Sequence, residues 1–262
     1  MNYKIFIENI LKDSAEVALE SFGKITSFAQ KDDPNQIVTE VDLTIEKKII
    51  SEIEKNFPDH SIIAEESGYL NKNSEYTWII DPLDGTSNYA AGIPWFGIMI
   101  ALLKNWEAVV SGIRLPITQE MYVAQKGNGA WKNGTKLIVQ EKELKDSLVS
   151  FCADKVSSTD EQNKIANLYK KIFSKARNIR ATNSADDYVY AAEGALGGAV
   201  NLNNKIWDVA PIIQIVKEAG GIITDLKGAE IDLRVNENTY TKSYQVVIGN
   251  KSTHPQLLKL VS

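Results

Sequence analysis

The sequence predicts a layered α/β fold. Three observations carry that prediction: a first half rich in strand patterns and flanked by amphipathic helices, a second half in which strand and helix patterns alternate, and a charged passage between them at Glu141 to Lys145. The chain is read as one domain over residues 1–262, with an α+β subdomain over about 1–140 and an α/β subdomain over 141–262. Its 262 residues, 44% of them apolar, suffice for a substantial core.

Phe6, Ile7, Ile10, Leu11, Val17, Ala18 and Phe22 recur at helical spacing and stop at Gly23, which predicts a first helix. After the polar stretch Gln30 to Gln36, residues Leu43, Ile45, Ile49, Ile50 and Ile53 trace a second helix. Asp42 lies at its start, where an acid caps the helix or complements its dipole. Ser61 to Ala64 and Tyr76 to Ile80 are strand-like runs ending at Glu65 and Glu66 and at Asp81, so two strands deliver acids at one end. Glu65 and Glu66 follow one another at a strand end, so only one of the two faces the same side as the site. Further strand patterns cover Phe96 to Leu103, Ala108 to Leu115 and Met121 to Ala124, and Asn133 with Gly134 reads as a hairpin turn. In the second half Ser147 to Ala153 is strand-like, and Thr159 to Phe173 and Ser184 to Glu193 are helical. Trp207 and Asp208 then precede a helix through Ile212, Ile213, Val216 and Ala219 that stops at Gly220 and Gly221.

Composition narrows the function classes. With 34 acidic against 29 basic residues and no basic cluster, nucleic acid is not an expected partner. One cysteine, Cys152, fits a reducing cytoplasm and reads as a small core residue. Lys4, Glu8, Lys12 and Asp13 interrupt the first apolar pattern, which argues against a secretory signal. Gly85 to Leu103 lacks charge, but Gly92, Pro94 and Gly97 interrupt it, so a buried strand is expected there and no membrane span. His60 and His254 lie near no serine or cysteine motif and are expected on solvated segments. No CxxC, HExxH or GxGxxG pattern points to zinc or a dinucleotide.

The most informative segment is Asp81 to Thr86, DPLDGT, directly after the run YTWII. Pro82 stiffens the link between two carboxylates, Gly85 permits a tight exit, and Thr86 can open a helix with its hydroxyl and free amides. Carboxylates held this close either share protons or gather a hard cation such as Mg²⁺. Asp, Pro and Gly are also ordinary turn residues, and read alone the segment serves equally to reverse the chain. Asp208 read alone is equally a helix N-cap, and Trp207 a core residue.

Taken together, DPLDGTSNY from Asp81, AEES from Ala64, VTEVD from Val38 and WDVAP from Trp207 resemble the inositol monophosphatase family of sugar phosphatases. KGNGAW from Lys126, NGTKL from Asn133 and EAGG from Glu218 extend the resemblance over most of the chain. It implies an αβαβα sandwich, a homodimer, two or three Mg²⁺ ions, lithium sensitivity, and hydrolysis by a metal-activated water without a covalent intermediate. Carried over residue by residue, Glu65, Asp81 and the Leu83 carbonyl would hold one ion, and Asp81, Asp84 and Asp208 a second. Glu65 and Thr86 would orient the water, and Asp42 would draw off its proton through Thr86. Gly85 and Thr86 would cradle phosphate, with Asp84, Ala185 and Asp208 beside the substrate and Lys31 as a basic loop contact.

The resemblance implies myo-inositol monophosphate or a similar sugar phosphate as substrate. Seven residues before Asp208, however, inositol-selective relatives carry an acid that meets sugar hydroxyls, and here Asn201 stands there. Asn183 to Ala185 reads NSA where glycine precedes SA in relatives, and Asp186 and Asp187 add further acid. Histidinol phosphate, fructose 1,6-bisphosphate and a 3′-phosphonucleotide are the alternatives within the fold. A regulatory binding protein that keeps the fold is the alternative outside catalysis.

Overall fold

Two large sheets are stacked with helices between and outside them, giving five layers, and a third sheet among the described residues has two short strands. The structure, a computed structural model, describes residues 2–24, 28–30 and 37–262. In chain order the elements are α1 (Tyr3–Ser21), β1 (Ala29–Gln30), β2 (Ile37–Val38), α2 (Glu40–Asn56), β3 (Ser61–Ala64), β4 (Gly68–Leu70), β5 (Tyr76–Asp84), α3 (Thr86–Ala90), β6 (Gly97–Lys104), β7 (Glu107–Leu115), β8 (Glu120–Gln125), β9 (Gly129–Lys132) and β10 (Thr135–Leu137). After a 3-10 turn at Leu144–Asp146 come β11 (Leu148–Cys152), α4 (Thr159–Phe173), β12 (Asn178–Arg180), α5 (Ala185–Glu193), β13 (Gly198–Asn204), α6 (Ile206–Glu218), β14 (Ile222–Thr224), β15 (Tyr244–Gly249) and α7 (Thr253–Val261).

The first sheet has eight strands in the order β10-β9-β8-β7-β6-β5-β3-β4, and the second has five in the order β12-β11-β13-β15-β14. In the first, only β3 and β5 run parallel, so both present their C-terminal ends, and the acids that follow, to one edge. Helices α1 and α2 bury Phe6, Ile7, Leu11, Ile45 and Ile49 against one face of this sheet. Helices α5 and α6 fill the space between the two sheets through Ala185, Val189, Ile212 and Val216. On the outer face of the second sheet Ile172 of α4 joins Leu257 and Val261 of α7.

Close approaches explain two glycines. A Cβ on Gly97 would lie 2.7 Å from the Ala185 Cβ and 3.1 Å from Leu115 Cδ2, so β6 passes α5 at backbone distance. A Cβ on Gly198 would lie 2.4 Å from the Ile248 carbonyl oxygen, which seats β13 against β15.

Several expectations need correction. The helix after Gly198–Asn204 begins at Ile206, so Trp207 and Asp208 lie inside its first turn and do not precede it. His254 is buried, its Nε2 2.9 Å from Thr224 Oγ1, because it belongs to α7, an element with no clear apolar period at its start. His60 is half-buried: its Nδ1 accepts a hydrogen bond from Trp78 Nε1 at 3.1 Å, and its ring stacks on Tyr76 with centroids 4.7 Å apart. Neither histidine is solvated. Cys152 is buried, and the thiol donates to Asp187 Oδ2 at 3.2 Å. Lys31 lies outside the described residues.

Gly97→Ala is expected to lower unfolding free energy by about 1–3 kcal/mol, the usual cost of overpacking a filled interior, as read by urea denaturation. An unchanged midpoint would contradict this close packing.

Candidate metal centre

Strand β5 does not end at Asp81; it continues through the acidic segment to Asp84. Asp81 pairs with Met99 while Asp84 pairs with Gly97, so one extra residue bulges out of β5 between them. In a regular strand, residues three apart face opposite sides of the sheet. The bulge removes that alternation and lets both carboxylates reach one place. Pro82, with no N–H to give the ladder, sits where a strand tolerates it. The Leu83 N–H donates to Asp81 Oδ1 at 3.1 Å and fixes that side chain.

Gly85 follows at φ 86°, ψ 31°, a left-handed conformation. Its missing Cβ would lie 2.7 Å from the Trp95 carbonyl oxygen, so only glycine fits. This sharp exit starts α3 with Thr86, whose hydroxyl lies 3.0 Å from Asp42 Oδ1 and 2.9 Å from the Leu83 carbonyl oxygen. One hydroxyl proton serves one of the two acceptors at a time.

Asp42 is fully buried as the third residue of α2. Its Oδ2 accepts from the Thr39 N–H at 2.9 Å and from the Thr39 hydroxyl at 2.5 Å, closing a capping box and leaving Oδ1 for Thr86. Burial raises its pKa, and the Thr39 and Thr86 hydrogen bonds oppose that rise.

Asp208 is the third residue of α6, and its Oδ2 accepts from the Lys205 N–H at 2.6 Å. This cap aims the acid toward β5, where carboxylate oxygens of Asp81, Asp84 and Asp208 lie within 4.8 Å of one another. Burial, then the charges of Glu65, Asp84 and Asp208, hold Asp81 well above the usual carboxylate range. Burial and the Asp208 and Glu65 charges do the same to Asp84, against the Ala185 N–H that donates to it. Burial also pushes Asp208 up to about 6, although the Lys205 N–H works in the other direction. Asp84 Oδ2 is buried and has no hydrogen-bond partner among the described residues. An orphaned carboxylate oxygen within a knot of like charges is what a hard cation would satisfy, and the donor set is entirely oxygen, as Mg²⁺ requires.

The cluster lies in a cleft of about 250 Å³ lined by Glu65, Asp81, Leu83, Asp84, Gly85, Thr86 and Asp208 on one side. Ile37, Asp154, Lys155, Asn183, Tyr188, Asn201, Asn203, Lys205 and Ser243 are among the residues that complete it. Glu65 lines the cleft and Glu66 does not, as expected of adjacent residues at a strand end. Ala185 is buried beneath the rim and reaches the centre through its N–H. Asp187 Oδ2 accepts from the N–H groups of Thr182 and Asn183, so this unexpected acid shapes a loop. Sequence inspection missed Glu46, buried one turn after Asp42 on α2. Its spacing of four residues from an acid already singled out was the available signal.

The inositol monophosphatase family profile matches residues 3–262, and the chain belongs to that family. A fructose-1,6-bisphosphatase/inositol-1-monophosphatase of Aquifex aeolicus is 34% identical, over 94% of this chain and 89% of its own length. The Nus factor SuhB of Vibrio cholerae is 36% identical over 74% of this chain and 73% of its own. Among solved structures, an IMPase of Thermotoga maritima superposes with a TM-score of 0.87 at 30% identity, covering 100% of this chain and 97% of that one. An IMPase/NADP phosphatase complexed with Mg²⁺ and phosphate does so with a TM-score of 0.83 at 26% identity, covering 97% and 93%. The mixed α/β layering is thus that of the family. Among the described residues no helix is long and apolar enough to cross a membrane.

The raised carboxylates fix the sign of a pH effect. Unfolded, Asp208 ionises near about 3.9, but folded and metal-free at about 6. The folded state therefore binds protons more tightly between those values, and stability falls as pH rises through that window. Metal-free protein is expected to melt higher at pH 5 than at pH 7.5. Mg²⁺ is expected to raise Tm at pH 7.5 and change it little at pH 4.5, in scanning calorimetry. A Mg²⁺ effect independent of pH would contradict binding by these carboxylates.

Proposed function

We propose that this chain is a Mg²⁺-dependent phosphomonoesterase acting on a small sugar or polyol phosphate, with myo-inositol monophosphate the first candidate. The observation that supports it most is the meeting of Asp81, Asp84 and Asp208 within 4.8 Å beside Glu65 and Thr86 in one cleft. Asp81, Asp84 and Asp208, with Glu65 and the Leu83 carbonyl, would hold the metal. When bound, Mg²⁺ supplies Lewis acidity toward phosphoryl oxygen and acidifies the water it coordinates.

The protein's own groups have separable tasks. Once the Leu83 carbonyl is engaged elsewhere, the Thr86 proton is left to Asp42, at 3.0 Å, and the Thr86 lone pairs turn toward the cleft. Thr86 can then accept a proton from an attacking water as it passes its own hydroxyl proton to Asp42, whose carboxylate becomes the neutral acid. Burial favours the protonated form of Asp42, which suits it to that uptake. Glu65, which follows the C-terminal end of the parallel strand β3 at the same sheet edge, would face the same water. Backbone N–H groups at Gly85 and Thr86 open α3 toward the cleft and suit phosphate oxygens.

Asn201 bears on substrate choice. Its Nδ2 donates to the Tyr188 hydroxyl at 2.8 Å and its Oδ1 accepts from the Asn203 N–H at 3.0 Å. One donor and one acceptor of Asn201 are engaged within the protein, and a neutral amide does not supply the charge-assisted acceptor with which a carboxylate grips a pair of sugar hydroxyls. Histidinol phosphate, fructose 1,6-bisphosphate and 3′-phosphonucleotides therefore stay beside inositol phosphate. The proposal includes a homodimer in the cytoplasm. The similarity to SuhB, a Nus factor, favours as second reading a regulatory role for the same fold, with or without turnover.

Phosphate release from those four substrates should require Mg²⁺ and stop with chelator; no release from any would favour the regulatory reading. Asp81→Asn and Asp84→Asn are each expected to cut turnover by about 10²-fold or more. Metal-free, they should melt no lower than the parent, because each relieves like-charge repulsion. Folded variants with near-parental turnover would overturn the assignment.

A further inference from the structure

The use of Asp42 leaves unexplained a second buried acid on the same helix. Glu46 is 1% exposed, one turn beyond Asp42, inside a helix face otherwise lined by Val41, Ile45 and Ile49. Burying a carboxylate in such surroundings is costly unless its oxygens are satisfied. Both are, and by one segment: Oε2 accepts from the Glu66 N–H at 2.8 Å, and Oε1 from the Ser67 hydroxyl at 2.5 Å. That segment is the turn between β3 and β4 that carries Glu65 into the cleft. Its upstream side is held by the Glu65 N–H, which donates to the Ile80 carbonyl at 3.2 Å. Downstream, Gly68 adopts φ 82° against Tyr240. Between these two points, Glu46 makes two hydrogen bonds to the turn itself.

We infer that Glu46 is a positioning residue for Glu65, and that α2 presents two acids one turn apart to the two halves of the centre. Asp42 fixes the Thr86 hydroxyl and Glu46 fixes the turn that aims the Glu65 carboxylate. This inference rests on the phosphatase reading for the role of Glu65. Glu46 is not among the residues that line the cleft or make up the three-carboxylate cluster, so it acts through the turn, by the Glu66 N–H and the Ser67 hydroxyl.

The two acids should therefore fail in different ways. Glu46→Ala frees the turn and is expected to weaken Mg²⁺ binding and lower kcat by roughly 10- to 100-fold each, the range typical when a ligand's supporting partner is lost. Substrate KM at saturating Mg²⁺ should stay within about twofold, since the phosphate-facing amides of α3 are untouched. Glu46→Gln, which keeps an acceptor for the Glu66 N–H, should recover most of the loss, and Ser67→Ala should show a milder version. Asp42→Asn should lower kcat without changing Mg²⁺ affinity.

Mg²⁺ affinity is read by titration calorimetry and kcat by phosphate release, with circular dichroism reporting the fold. If Glu46→Ala does not fold, Glu46→Gln and Ser67→Ala decide the matter by the same readouts. Folded variants that bind Mg²⁺ as the parent does, or that lose kcat with no change in Mg²⁺ dependence, would overturn the inference. A parent protein that binds Mg²⁺ but releases no phosphate would instead overturn the phosphatase reading. The Mg²⁺ affinities of the variants would still test whether Glu46 positions Glu65.

Discussion

Mutual repulsion among Asp81, Asp84 and Asp208 is the constraint around which the rest of the structure is arranged. Asp81, Asp84 and Asp208 have oxygens within 4.8 Å of one another; burial raises all three pKa values, the charges of Asp84 and Asp208 raise Asp81 further, and that of Asp208 raises Asp84. Such an arrangement persists only where the backbone holds it. Here the holders are neutral or polar: the Leu83 N–H on Asp81, the Ala185 N–H on Asp84 and the Lys205 N–H on Asp208. Each stabilises an ionised carboxylate without neutralising it, so net negative charge is left for a cation. The Lys205 ammonium itself is held away by the Thr241 carbonyl and the Ser243 hydroxyl.

The fold brings these holders together from distant parts of the chain. Parallel pairing of β3 with β5 aligns the turn bearing Glu65 with the bulge bearing Asp81 and Asp84. Helix α6, packed between the two sheets, points its first turn and Asp208 at the same spot. Helix α2, on the other face of the first sheet, reaches the centre through Asp42 and supports the Glu65 turn through Glu46. The centre thus lies where three layers meet, and its carboxylates sit on strand ends and helix first turns, where backbone geometry limits their movement.

Much of this was legible in the sequence because the local chemistry is local in sequence too. An acidic segment directly after an apolar strand, and a glycine before a helix-opening threonine, are contiguous signals. The bulge was not legible: a spacing of three between Asp81 and Asp84 argues for opposite faces until the register with β6 is known. Nor was β13, whose opening Gly198 and asparagine-rich sequence lack a strand pattern. Glycine is required there because a Cβ on Gly198 would strike the Ile248 carbonyl. His254 looked solvated in its polar neighbourhood, yet tertiary packing of α7 buries it. Asn201 could be recognised as a departure from an acid, but its engagement with Tyr188 and Asn203 depends on partners the sequence does not place.

The central claim is that the three clustered carboxylates form a hard-cation centre. Anomalous diffraction from crystals soaked in Mn²⁺, a heavier stand-in for Mg²⁺, tests it most directly. The account predicts at least one strong peak bounded by Asp81, Asp84 and Asp208, lost on competition with excess Mg²⁺ and in crystals of Asp84→Asn. A cleft with no peak, or metal bound only at carboxylates elsewhere on the surface, would contradict it.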